Sequence, residues 1–303
     1  MDDRPAYDRL NAIYDRFQAD LDPLAWAEYI HQLHLEQRLP HTNQGEGGRP
    51  LLLDLGCGTG RMTAGFVPLG YDIIGVDISP LMLEQAMFNL SEAGIKPLLL
   101  LQDMCEFELY GTVDLITCLL DTVNHIIDID RLRKFFAHCA TYLHPGGVLI
   151  FDLATEFHFA EVLGNAEFFE ISDDYALLWQ NAYFPETTLS RSEITLFEAT
   201  EDGLYVREDV TIKERYYSLE QISNLLTEAG FIDLTIHGDV GISGAPELAA
   251  SLDRAADLRI LRSSETAINP KTTAVSENIG GTERVFFVAR SGKPIPDSEC
   301  ISE

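Results

Sequence analysis

Between Leu51 and Gly60 the chain reads LLLDLGCGTG: an apolar run, one carboxylate, and glycines at every second position. Leu51, Leu52, Leu53 and Leu55 fit a strand buried on both faces of a parallel sheet, since a half-exposed strand would alternate apolar with polar residues. Gly56, Gly58 and Gly60 then remove side chains where the backbone must turn sharply and approach a ligand. From Arg61 to Leu69 the pattern becomes helical. A strand, a glycine turn and a helix in this order begin an α/β fold that holds its ligand at the carboxyl end of the strand.

The same run constrains the ligand. A dinucleotide fingerprint needs G-x-G-x-x-G, and its third glycine would fall on Arg61. A pyrophosphate has little use for a carboxylate just before its turn, and Asp54 stands there, so the ligand is cationic or rich in hydroxyls. Gly70 to Ile78 reads as the second strand, ending in Asp77, which is placed to accept from ribose hydroxyls, with Ile78 against a base. Lys96 to Leu101 reads as the third strand. Its exit, Gln102-Asp103-Met104, offers an acid for an exocyclic amine beside an apolar wall.

D-L-G-C-G-T-G, G-V-D-I-S, Q-D-M, a fourth strand and H-P-G-G, in that order, resemble the class I S-adenosylmethionine-dependent methyltransferases, over roughly Tyr7 to Arg290. The resemblance implies S-adenosyl-L-methionine as cofactor. It implies that Asp54 and the turn Gly56, Cys57, Gly58 and Gly60 hold the methionine part, that Asp77 holds the ribose with Ile78 beside it, and that Asp103 and Met104 face adenine. Leu119, at the exit of the fourth strand, completes this set. N-terminal helices fold over the cofactor in that family, and Tyr14 matches a tyrosine that borders it; plain core packing is the alternative for Tyr14.

Composition narrows the partners. The formal net charge of −28 argues against a nucleic-acid substrate, because Lys and Arg must neutralise phosphates there. The five cysteines are odd in number, lack any C-x-x-C and fall mostly in apolar segments, which points to a reducing compartment. No apolar run approaches the ~20 residues of a membrane helix and the N-terminus lacks a signal-type region, so a cytoplasmic protein without membrane contact is expected. His31 and His34 lack a cysteine or carboxylate frame, and no metal is expected.

The expected architecture is α/β: a doubly wound, mostly parallel, seven-stranded Rossmann-like methyltransferase sheet with N-terminal helices and an inserted antiparallel β lid. Residues 1–49 form the helical cap, with helical periodicity from Tyr7 to Arg38 and a second helix starting at Asp22-Pro23. Residues 50–154 and 218–290 form the cofactor-binding core, 155–217 the lid and 291–303 a tail. Three alternating segments from Tyr175 to Tyr217 mark the lid. A short helix is expected from Pro246 to Leu261 and a mobile stretch from Ser263 to Gly281.

The expected reaction is methyl transfer to a small-molecule acceptor, with an amine favoured by resemblance to chains carrying such a lid. The alternatives are another use of the cofactor, such as aminopropyl transfer or cofactor remodelling, or a non-catalytic regulatory module that binds it. Catalytic candidates follow the fourth strand: Asp121 and His125, at helical spacing, each with an ordinary structural role as its alternative, a helix cap for Asp121 and a locally satisfied helix end for His125. Tyr183, Phe184, Tyr205 and Arg215-Tyr216-Tyr217 are the lid residues considered for the acceptor.

Overall fold

The computed structural model describes residues 6–19, 21–39, 48–238, 272–275 and 281–294. The described residues run through a 3-10 turn (Ala6–Arg9), α1 (Asn11–Phe17), α2 (Pro23–Gln37), β1 (Leu51–Leu55), α3 (Arg61–Phe66), a 3-10 turn (Val67–Leu69), β2 (Asp72–Asp77), α4 (Pro80–Glu92) and β3 (Leu98–Leu101). The chain continues with β4 (Val113–Cys118), a 3-10 turn (Thr122–His125), α5 (Ile129–Tyr142), β5 (Leu143–Ala154), β6 (Glu167–Ile171), β7 (Tyr175–Phe184), β8 (Leu189–Ala199) and β9 (Tyr205–Arg215). The last elements are α6 (Leu219–Glu228), β10 (Phe231–Gly238), β11 (Thr272–Val275) and β12 (Arg284–Ser291).

Local chemistry sets the helix starts. Asp22 accepts from the N–H groups of Leu24 and Ala25 ahead of Pro23, Ser79 accepts from Met82 ahead of Pro80, and Ser218 and Gln221 form a reciprocal capping box.

The main sheet has the order β11-β10-β12-β5-β4-β1-β2-β3. Pairings from β5 across to β3 are parallel, and β12 runs antiparallel to both β5 and β10. The seven expected strands are therefore joined by an eighth, β11, parallel to β10 at the sheet edge. It corrects part of the stretch expected to be mobile: T-T-A-V is too short to carry an alternation signal, and its partners come from the open edge of β10. The helix expected from Pro246 to Leu261 lies outside the described residues.

Strict alternation along the central strands divides the core in two. Leu53, Leu149, Phe151, Val285 and Phe287 pack with α5 and α6 on one face, while Leu52, Val148, Ile150, Phe286 and Val288 pack with α2 and α3 on the other. Burial on both faces is why these strands read as continuous apolar runs.

The second sheet is antiparallel, β6-β7-β8-β9. It holds four strands where the sequence pattern marks three. The extra one, β6, is exposed along its whole length and so has no buried face to impose alternation. Tyr175, Leu177, Ile194, Leu196, Val210 and Ile212 of this sheet enclose Leu10 and Ile13 from the N-terminal segment. The short helix α1 is thus packed against the inserted sheet, which places it between that sheet and the glycine turn.

Candidate functional site

From β1 the chain crosses to β2 on one side, and β4 returns on the other, so the strand order reverses between β1 and β4. Doubly wound sheets open a crevice at such a point, beyond the carboxyl ends of the strands. Here it is a cleft of about 420 Å³, lined among others by Tyr7, Tyr14, Gly58, Asp77, Ile78, Asp103, Met104 and His125. A chamber of about 30 Å³, sharing Tyr14, Gly56, Gly58, Leu120 and Thr122, is walled also by Asp54, Cys57 and Leu119.

The three glycines have left-handed backbones, with φ of +71°, +52° and +81°, a region that favours glycine, and what a side chain would meet differs at each. A Cβ at Gly56 would stand 2.4 Å from the Thr122 methyl carbon, so this glycine admits the loop after β4. A Cβ at Gly58 would meet only Tyr14, at 3.9 Å, which leaves its face toward the cleft open. A Cβ at Gly60 would press on Leu90 at 2.9 Å; this glycine serves helix packing and is not among the residues lining the cleft or the chamber. Arg61, where a dinucleotide site would carry glycine, donates to the carbonyls of Asp15, Gln18 and Leu21 and fastens the end of α1 to the turn.

Asp77 accepts from the Gly58 N–H with one oxygen and the Ser79 N–H with the other, both at 2.8 Å. Burial pushes its carboxyl up while these bonds hold it down, with the net result above the ordinary value. Ile78 beside it is 56% exposed, an apolar face left toward the cleft. Burial also raises Asp103, but the Cys105 N–H and the Arg131 guanidinium, at 2.8 and 2.6 Å, outweigh it and bring the carboxyl below its usual range. Asp54 is buried under the turn, accepting from the hydroxyls of Thr63 and Thr117 at 2.7 and 3.0 Å. Burial pushes it up to about 6 against these bonds.

The two catalytic candidates separate. Asp121 does not line the cleft; its carboxylate pairs with Arg284 at 3.3 Å. Burial acts to raise Asp121, but the Arg284 guanidinium beside it holds the carboxyl below the ordinary value. His125 does line the cleft, with Nε2 2.9 Å from the Tyr7 hydroxyl and 4.0 Å from Oε1 of Glu214 on β9. Burial holds the imidazole below its ordinary value, so it is neutral near pH 7. Burial pushes Glu214 up to about 8, with Asp121 adding and Arg284 opposing.

Tyr7, Glu214, Asp152 and Arg284 escape the sequence reading. Asp152 had a signal, a lone acid in the apolar run of β5. Glu214 had none, since K-E-R on an alternating strand reads as a solvent face. Tyr183, Phe184, Tyr205, Arg215, Tyr216 and Tyr217 are not among the residues lining the cleft; the Tyr183 hydroxyl donates to Glu156, and Tyr217 donates to the Ile126 carbonyl. His31 and His34 converge through Nδ1 on the Tyr71 hydroxyl, at 2.8 and 2.7 Å. Among the described residues no helix is long and apolar enough to cross a membrane.

Residues 52–147 match the model of a methyltransferase domain. The chain is 27% identical over 226 residues, 75% of its length and 89% of the relative, to a protein of Geobacillus sp. (strain WCH70) named as a methyltransferase. It is 33% identical over 101 residues to a dTDP-4-amino-2,3,4,6-tetradeoxy-D-glucose N,N-dimethyltransferase of Saccharopolyspora spinosa, covering 33% of this chain and 39% of that one. The crystal structure of an S-adenosylmethionine-dependent methyltransferase from Clostridium acetobutylicum superposes with a TM-score of 0.70 at 27% identity, covering 95% of this chain and all of that one.

Proposed function

Because the chain belongs to the class I S-adenosylmethionine-dependent methyltransferases, we propose that it methylates a small amine-bearing acceptor bound between the cleft and the inserted sheet. The residues present suit the donor. Gly58 leaves an open face, Asp77 keeps lone pairs for ribose hydroxyls beyond its two backbone bonds, and Ile78 and Met104 flank a flat base. Asp103 takes the exocyclic amine beside them, and Asp54 braces the turn at the methionine end with Cys57 and Leu119. When bound, the sulfonium supplies an electrophilic methyl group whose transfer removes a positive charge from a largely desolvated site.

The single observation that carries the amine reading is the neutral, cleft-lining His125, with Tyr7 on Nε2 and a carboxyl from the inserted sheet facing the same atom. An amine that accepts a methyl group must shed a proton, and a neutral imidazole within the wall can take it. The similarity to an amino-sugar N,N-dimethyltransferase supports the same class of acceptor.

Incubation with methyl-labelled S-adenosylmethionine and a cell metabolite extract tests the reading. Label entering the amine fraction with S-adenosylhomocysteine accumulating is the expected outcome. Methylthioadenosine in its place marks aminopropyl-type chemistry, and label confined to hydroxyl or carboxyl products rejects the amine.

A further inference from the structure

Within three residues of the end of β4, Leu120 and Asp121 both adopt left-handed backbones, φ 60° and 53°. Glycine, asparagine and aspartate tolerate this region but a leucine rarely enters it, and two non-glycine residues in succession persist there only where the surroundings hold them. The holder is Asp152 on β5. One oxygen of its fully buried carboxylate accepts the Leu120 N–H at 2.7 Å and the other the Asp121 N–H at 2.8 Å.

Arg284, at the start of β12, pairs with Asp152 and spans to the Asp121 carboxylate, with its guanidinium 5.4 Å from the centre of the Trp26 ring of α2. A carboxylate buried this deeply is tolerable only with such a partner. The left-handed step delivers two groups to the site. The Thr122 methyl occupies the space over Gly56 that a Cβ would need, while the Thr122 hydroxyl donates to the Leu119 carbonyl at 2.7 Å. The 3-10 turn that begins at Thr122 ends at His125.

We propose that Asp152 and Arg284 are positioning residues of the methyl-transfer site, holding the Leu120–Asp121 step that sets Thr122 on the glycine turn and His125 in the cleft wall. Asp121 then contributes through its backbone conformation, not as a proton acceptor. The inference rests on the reading of the cleft as the donor and acceptor site, and the two can fail separately.

Two readouts on the full chain test it: amide hydrogen exchange at Leu120 and Asp121 without ligand, and calorimetric affinity for S-adenosylhomocysteine. Asp121→Gly and Asp121→Asn, which tolerate positive φ, keep affinity within about threefold of wild type, whereas Asp121→Val loses about tenfold or more. Arg284→Gln loses about tenfold and releases both amides to exchange, and Arg284→Lys restores part of each. Should Asp121→Val fail to unfold cooperatively, Asp121→Ala against Asp121→Asn makes the same comparison.

Equal affinities for the valine and glycine variants, or amides still protected in Arg284→Gln, overturn the proposal. So does an Asp121→Asn enzyme that binds normally yet loses methyl transfer from labelled donor to the amine fraction by about a hundredfold, since that would make Asp121 a catalytic base. If wild type itself fails to bind S-adenosylhomocysteine, the methyl-transfer reading falls, while the exchange comparison still decides whether Asp152 and Arg284 hold the step.

Discussion

Asp77 and Glu214 mark the extremes of what single residues reveal. Asp77 is legible in the sequence because its place follows from the strand and turn before it, and its two backbone bonds orient it toward the cleft. Replacing it with alanine is expected to weaken S-adenosylmethionine binding about tenfold or more by calorimetry, as loss of a charged acceptor does; equal affinity in the two proteins rejects the ribose assignment. Glu214 is legible only in three dimensions, where β9 meets His125. Its folded-state value of about 8 stands above the ordinary 4.5. The folded protein therefore binds this proton more tightly than the unfolded chain, and stability falls as pH rises from 4.5 toward 8. Glu214→Gln removes that loss: Tm is expected to rise by at least ~3 °C near pH 8.5 and to match wild type near pH 4.5. A gain that persists unchanged in acid would mean Glu214 is not the titrating group.

The elements most plainly written in the chain are those whose signals are local. Pro23, Pro80 and the capping box at Ser218 mark helix starts, and β1, β4 and β5 are apolar runs because both faces are covered. The N-terminal segment is different. Its helical periodicity is visible, but the break into a 3-10 turn and the short α1, and the burial of Leu10 and Ile13 in the inserted sheet, arise from a partner some 160 residues or more away in sequence. Ile13→Ala is expected to cost about 2–5 kcal/mol of the stability of that contact, as large-to-small changes in a packed core do. Amide exchange should then quicken in α1 and β8 together while β12, in the main core, is unchanged. Faster exchange in α1 alone would show that the inserted sheet does not depend on it.

At the scale of the whole molecule, charge and topology act in different ways. A net charge of −28 gives a field that draws in cations over tens of ångströms at low salt. For an amine acceptor, kcat/KM is expected to fall several-fold as ionic strength rises from about 0.01 to 0.15 M, when the Debye length shrinks from about 30 to 8 Å. An unchanged rate would point to a neutral acceptor. The chain by itself determined the fold class, the glycine turn and the acid ending β2, because strand periodicity and glycine spacing act over a few neighbouring residues. Only the tertiary structure decided that Gly60 serves packing, that Arg61 fastens α1, that Asp121 turns away from the cleft onto Arg284, and that His125 meets Tyr7 and Glu214. Those outcomes depend on residues brought together from opposite ends of the chain, and side-chain partners at such separations leave no periodicity in the sequence between them.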